Sequence, residues 1–411
     1  MDKLRCVLGI AVFLGIAWLL SSNKRLLSPR IIVGGLLLQF GLGLFILKTP
    51  IGKKVFDGID YVFQSLLGCV DAGTQFVFGD AYAEHFFAFK VLPTIIFFSA
   101  LMSILYYYGI VQKVVGVFAW VMQRTLGTSG AETLSAAANV FVGQTEAPLV
   151  VKPYISSMTM SELNAVMIGG FATMAGGVLG GLVDMGVSAR DLLTASVMAA
   201  PAALLVAKVM LPETGTPRTM GTVSVDVKDE SVNVLEAIAN GALGGLTLAL
   251  NVAAMLIVFI SLIKLVDLGL GWVGVQAGYA GEGGVPIWSL GAALGKLFAP
   301  LAWLMGIPWN EAPPAGELLG LKMATNEFVA YGRYIEWADA ESVVQLSERT
   351  RAILVYALCG FANFSSIGIQ LGGIGGLAPD RRGDLARLGL RAMIGGTLAS
   401  FINACIAGIL L

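Results

Sequence analysis

Two acidic residues, Glu146 and Glu327, stand in otherwise apolar surroundings, each followed six positions later by a base, Lys152 or Arg333. An ionised side chain at membrane depth costs at least ~2.5–3.5 kcal/mol on insertion scales, so each glutamate must be paired, wet or functional. Six residues along a helix points two side chains to different faces, which disfavours an ion pair within each segment but leaves it open. The polar neighbours suit neutral, hydroxyl-rich ligands. Gln144 and Thr145 offer amide and hydroxyl partners for a base edge, Glu327, Asn363 and Ser366 offer acceptors for sugar hydroxyls, and Phe361 offers an apolar or stacking face. Asn139 and Thr173, with backbone carbonyls nearby, form a second cluster of uncharged oxygens of the kind a hard monovalent cation takes. Each of these side chains could instead cap a helix end.

Other chemistry is closed off by counting. The chain has one histidine, His85, and four cysteines, Cys6, Cys69, Cys359 and Cys405, spaced too widely for a metal or redox pair. Of its 411 residues 56% are hydrophobic, 52 are glycine and only 13% are charged, against roughly 25% charged in soluble chains. With 26 basic and 27 acidic residues the net charge is −1, so nucleic acid is not an electrostatic partner. The solvent for this chain is lipid.

Charge-free stretches of bilayer-crossing length fall at 6–20, 31–47, 91–112, 163–183, 192–207, 237–263, 352–379 and 392–411, given the ~20 apolar residues a span needs. The expected fold is an all-α polytopic membrane protein with eight transmembrane helices. Lys3 and Arg5 precede the first stretch without a small-residue cleavage site, so it reads as an anchor helix rather than a removed signal. Lys24, Arg25 and Arg30 in the first short loop, and Arg381, Arg382, Arg387 and Arg391 in the seventh, place both termini outside by the positive-inside rule; Lys48, Lys53 and Lys54 oppose this. Segments 51–78 and 111–126 read as interfacial helices. Segments 132–154 and 313–334 are two short apolar arms broken by polar residues, at 143–146 and 325–327. They read as re-entrant hairpins, whose tips survive at depth only when buried in protein or facing a wet cavity.

This plan is written twice. Gly-Phe-Ala occurs at Gly170, Phe171, Ala172 and again at Gly360, Phe361, Ala362, followed by Thr173 or Asn363. A hairpin with a single tip glutamate precedes each copy, and Asp191-Leu192 or Asp384-Leu385 opens the next span. The copies lie three spans apart, an odd offset, so the second runs through the membrane in the opposite sense. Inverted repeats with interrupted helices are a recurring plan of secondary transporters, which bind substrate and ion where the repeats meet.

The residues around Glu327 carry a specific resemblance. Gly320, Lys322, Asn326, Glu327, Phe328, Val329, Ala330 and Tyr331 match every fixed position of the signature of the concentrative nucleoside transporters. Gly143 to Pro148 resembles that family's first hairpin tip, and Gly360 to Gly368 its broken seventh span. The resemblance implies a homotrimer in the membrane lipid, working by elevator-like alternating access. Its scaffold would be residues 1–127 and 213–285, and its transport repeats 128–212 and 286–411. It also implies Gln144, Thr145 and Glu146 toward the nucleobase, Val178 and Phe361 packing on it, and Glu327, Asn363 and Ser366 on the ribose. Sodium would bind at Asn139, the Val142 carbonyl, Thr173 and the Met174 carbonyl; Thr173 stands where some members carry serine, which keeps the hydroxyl. The extra N-terminal helices of animal members are lacking, so the resemblance is to the bacterial type, in the inner membrane. The expected activity is import of nucleosides such as uridine, driven by co-transported sodium. Proton coupling, an ion channel and an intramembrane enzyme are the alternatives.

Overall fold

The computed structural model describes residues 2–221, 231–279, 288–338, 342 and 344–411. Among the described residues the secondary structure is helical, with no strand. The chain opens with α1 (Asp2–Leu19) and α2 (Pro29–Lys48), and Thr49 then caps α3 (Pro50–Phe78) by accepting from Gly52 N at 2.9 Å. Pro29 and Pro50 sit in first turns, where a missing N–H costs nothing. A π turn at Phe87–Val91 leads into α4 (Leu92–Tyr107), and α5 (Ile110–Leu126) follows. The third span thus stops short of the expected 91–112. Gly109 takes φ +71°, a left-handed conformation that ends a helix and that glycine adopts without strain.

Two compact units follow, the first of them almost wholly buried. The first comprises α6 (Gly130–Ala138), an irregular tip, a 3-10 turn at Ala147–Val151, α7 (Lys152–Ile155), α8 (Met160–Ala172), α9 (Gly176–Asp184) and α10 (Ala189–Met210). Pro148 and Pro153 keep the arm after the tip from forming one helix. After the long α11 (Val234–Gln276) come α12 (Leu290–Leu304), α13 (Ala312–Ala324), α14 (Glu327–Glu336), α15 (Glu348–Leu358), α16 (Phe364–Leu377) and α17 (Arg382–Leu410). The domain boundary expected at 285/286 lies outside the described residues.

Among the described residues six helical stretches are long and apolar enough to cross a bilayer: Pro29–Lys48, Phe87–Tyr107, Met160–Asp184, Ala189–Met210, Val234–Gln276 and Pro379–Leu410. Of the eight expected, the other two are α1, which carries Asp2, Lys3 and Arg5 at its start, and the pair α15 and α16, which the break divides. At 1.5 Å per residue the 43 residues of α11 run about 65 Å, twice the ~30 Å hydrocarbon core. That helix is nearly bare. It packs on α4 through Gly241, Gly245 and Ala249, a small-residue stripe that lets the backbones approach: a Cβ at Gly241 or Gly245 would come within 2.8 Å of an α4 Cα atom. Close packing replaces the hydrophobic driving force that lipid does not supply.

The core forms where the two broken helices cross. α8 ends at Thr173, whose backbone is extended, and α15 ends before Gly360 at φ +98°. A Cβ at Gly360 would lie 2.6 Å from the carbonyl oxygen of Ala172, so the two Gly-Phe-Ala breaks meet backbone to backbone. Gly396 of α17 closes over the same spot, its Cα facing Phe171. Gly360→Ala therefore combines a left-handed conformation with a collision and should cost at least about 2 kcal/mol. The apparent melting temperature in detergent should fall clearly below that of Gly58→Ala, a control in α3 with nothing within 4 Å; equal melting would show that the crossing tolerates a methyl.

Candidate functional site at the crossing of the broken helices

Broken helices expose backbone ends, and side chains from the same segments take them up. Asn363 is the N-cap of α16: its Oδ1 accepts from Ser366 N at 2.9 Å and from Ser365 Oγ at 2.7 Å. Its Nδ2 donates to Glu327 Oε2 at 3.1 Å, joining the break in the seventh span to the tip of the second hairpin. Glu327 is the first residue of α14, with Asn326 as N-cap accepting from Val329 N at 3.0 Å. The carboxylate therefore lies at a helix N-terminus, where partial positive charge favours it. At the far side of the break the Lys322 ammonium donates to the carbonyls of Cys359 at 2.9 Å and Ala357 at 3.2 Å, the complementary charge at a helix C-terminus.

The first hairpin contributes its tip. Glu146 N and Ala147 N both donate to Gly143 O, at 3.1 and 2.9 Å, and the Glu146 carboxylate lies over the Gly143 Cα, where any side chain would displace it. Gln144 Nε2 donates to Ser366 Oγ at 3.2 Å, so the tip reaches across to α16. Thr145 packs on Gly373 of the same helix.

These groups face one cavity of about 450 Å³, within the range of small-molecule sites. Gln144, Thr145 and Glu146 line it from the first hairpin, Val178 from α9, Glu327 from the second hairpin, and Phe361, Asn363 and Ser366 from the seventh span. All eight residues read from the sequence as ligand-binding are thus brought together. Its remaining wall was missed: Thr247, Asn251 and Met255 come from α11. Asn251 had a legible signal, an amide in the middle of an apolar span. Gln370 of α16, fully buried behind Gln144, was also missed.

The ion pairs left open by the sequence do not form at the tips. Arg333 pairs with Glu336 at 2.9 Å and Glu317 at 3.7 Å rather than with Glu327, and Glu146 is in none of the ion pairs among the described residues. Both tip carboxylates remain available to the cavity.

The second cluster lies one turn behind. Asn139, fully buried at the end of α6, donates through Nδ2 to Ser135 O at 3.0 Å, and its Oδ1 has no partner. Thr173 Oγ1 donates to Gly169 O at 2.8 Å, and Asn139 Nδ2 lies against Gly169. Val142 and the buried Met174 flank them in the hairpin tip and the α8 break. An orphaned amide oxygen beside a hydroxyl and a broken helix suits a hard monovalent ion. Among the described residues no group of three or more His, Cys, Asp or Glu could hold a metal.

Residues 191–408 match the family described as Na+ dependent nucleoside transporter C-terminus, 8–81 its N-terminus, and 88–189 the family described as nucleoside recognition. The chain belongs to the sodium-dependent nucleoside transporter family. It is 43% identical over 417 residues to the nucleoside permease NupC of Helicobacter pylori, covering 99% of this chain and 98% of that protein. It is also 43% identical over 420 residues to the sodium/nucleoside cotransporter 1 of Rattus norvegicus, covering all of this chain but 64% of the rat protein. The structure of CNTnw in an inward-facing substrate-bound state superposes with a TM-score of 0.92 at 43% identity, over 100% of this chain and 98% of that one. A CNTnw variant in an outward-facing state gives 0.93 at 44% identity, over 100% and 98%. The family consists of transporters, not enzymes, and the protein is a multi-pass protein of the bacterial-type inner membrane.

For this transporter, Glu327→Gln removes a charge-assisted acceptor and should weaken nucleoside binding about 10- to 100-fold. Arg333→Ala, which breaks only half-exposed pairs, should leave binding within about twofold. Titration of both purified variants with uridine checks this; a comparable loss in the arginine variant would restore the ion-pair role.

Proposed function

We propose that the protein imports nucleosides such as uridine by coupling them to an inward sodium gradient, as a homotrimer whose protomers alternate between outward-open and inward-open states. The observation that carries this reading is one cavity that gathers polar side chains from both hairpins and the broken seventh span, with Val178 from beyond the other break, against α11. In this reading residues 128–212 and 286–411 form the mobile transport part, and 1–127 with 213–285 the scaffold. The cavity travels with the transport part while α11 stays as the wall it slides along, an elevator-like motion. The bareness of α11 on its other faces leaves them for lipid or for neighbouring protomers.

Nucleoside is held by groups matched to its two halves. Gln144, Thr145 and Glu146 supply donors and acceptors to the base edge, Val178 and Phe361 its apolar faces, and Glu327, Asn363 and Ser366 the ribose hydroxyls. Sodium, the second substrate, takes the Asn139 and Thr173 oxygens with the Val142 and Met174 carbonyls. The two sites share backbone. Asn139 rests on Gly169, and the next residue, Gly170, packs on Gln144 so closely that a Cβ there would lie 2.9 Å from the Gln144 Cβ. An ion that draws the hairpin tip onto the α8 break therefore sets the position of the base-reading amide.

Coupling of this kind is reciprocal, and typical couplings are about 5- to 150-fold in affinity. Uptake of labelled uridine into proteoliposomes, with and without an inward sodium gradient, tests the function. Absence of sodium dependence overturns the coupling, and stimulation by a proton gradient instead would replace it; no uptake of any nucleoside overturns the substrate. Asn139→Ala and Thr173→Ala should each raise the sodium concentration for half-maximal uptake while uridine binding at saturating sodium changes little. An unchanged sodium response in both would move the ion site elsewhere.

A further inference from the structure

Gln370 touches no part of the cavity surface, yet it is fully buried and makes two donor contacts: Nε2 to Met167 O at 3.1 Å and to Gln144 Oε1 at 3.1 Å. A backbone carbonyl can only accept, so the group facing Met167 is the NH2 end of the amide. That fixes the orientation of Gln370, and Gln370 in turn fixes that of Gln144. Gln144 presents its carbonyl oxygen backwards to Gln370 and donates forwards to Ser366 Oγ at 3.2 Å. The second Gln144 N–H and the Ser366 hydroxyl proton remain for the cavity that both residues line. Reversing the amide would set Gln370 Oε1 against two acceptors; instead that oxygen is left buried without a partner. Gly170 makes the room, since a Cβ there would lie 2.7 Å from Gln370 Nε2. The chain of hydrogen bonds therefore has one direction, set by a main-chain carbonyl of α8.

We propose that Gln370 is a positioning residue for base selectivity: it holds the Gln144 amide so that an N–H faces the substrate, beside the accepting Glu146 carboxylate. This deepens the nucleoside reading and rests on it. A donor next to an acceptor complements a base edge with a carbonyl next to a ring N–H, as in uridine. The cytidine edge, an exocyclic amine next to a ring acceptor, is the reverse. Without Gln370 the Gln144 amide is free to turn and present either end, and the preference for the carbonyl-bearing edge declines.

The test is the ratio of uridine to cytidine affinity, measured by competition against labelled uridine on the full-length protein with saturating sodium. In Gln370→Met, which keeps the side-chain shape, the ratio should fall about three- to tenfold relative to wild type, the worth of one oriented hydrogen bond. Gln370→Leu should shift it in the same direction and decides the matter if the methionine variant does not fold. The two nucleosides share their ribose, so a merely structural defect lowers both affinities together. A parallel loss, or a ratio within twofold of wild type in a folded variant, overturns the inference while leaving the nucleoside reading intact. A wild-type protein that binds neither nucleoside overturns that reading, and this inference with it.

Discussion

The structure turns on one constraint: backbone groups freed by a broken helix at membrane depth must find partners inside the protein, because lipid offers none. Two helices break here, and their breaks meet at Gly360 and Ala172. The groups released are taken up by Asn363, Lys322 and Thr173, all drawn from the broken helices or the hairpins beside them. Asn363 itself lines the cavity, and Lys322 and Thr173 precede the lining residues Asn326 and Ala175 by four and two positions. The satisfaction of the breaks and the construction of the site are one problem with one solution, which is why polar residues cluster in so few places of a chain that is 13% charged.

Charge placement has the same origin. Glu327 lies at the start of α14 and the Lys322 ammonium at the end of α15, each complementing the partial charge of a helix terminus. Neither tip carboxylate is consumed by an arginine or lysine, so both keep lone pairs for a ligand. In the first repeat the helix end at Thr173 has no fixed cation; its neighbour Asn139 carries an unpartnered oxygen instead. The two repeats thus handle similar breaks differently, one with a tethered ammonium and one with neutral oxygens that an exchangeable ion can use.

The packing separates a dense interior from a bare exterior. α8, α10 and α17 are almost wholly buried against one another, whereas α11 packs chiefly on α4 along a glycine and alanine stripe, touches α12 and α14 more lightly, and is mostly exposed. A wall held mainly by its seam with α4, facing a polar cavity through Thr247 and Asn251, is a surface past which a rigid unit can shift without unpacking its own core.

Much of this was legible in the residues themselves. Membrane residence follows from composition, the doubled hairpin and break from recurring Gly-Phe-Ala, and Gln144, Thr145, Glu146, Glu327, Asn363 and Ser366 of the cavity lining from rare polar groups among apolar ones, since lipid makes each such group costly enough to need a reason; Val178 came only through the family resemblance. What sequence could not decide was which distant groups share a hydrogen bond. Gln370 and Gln144 are 226 positions apart, and nothing local distinguishes Gln370 from a helix-face amide. Asn251 belongs to a span read as scaffold, and its place on the cavity wall depends on how α11 lies against α4. The ends of the third span and of the first hairpin's second arm likewise rested on Gly109, Pro148 and Pro153 acting in context. Burial cost is a property of each residue and can be read along the chain; the direction of a hydrogen bond and the meeting of two breaks exist only once the helices are packed.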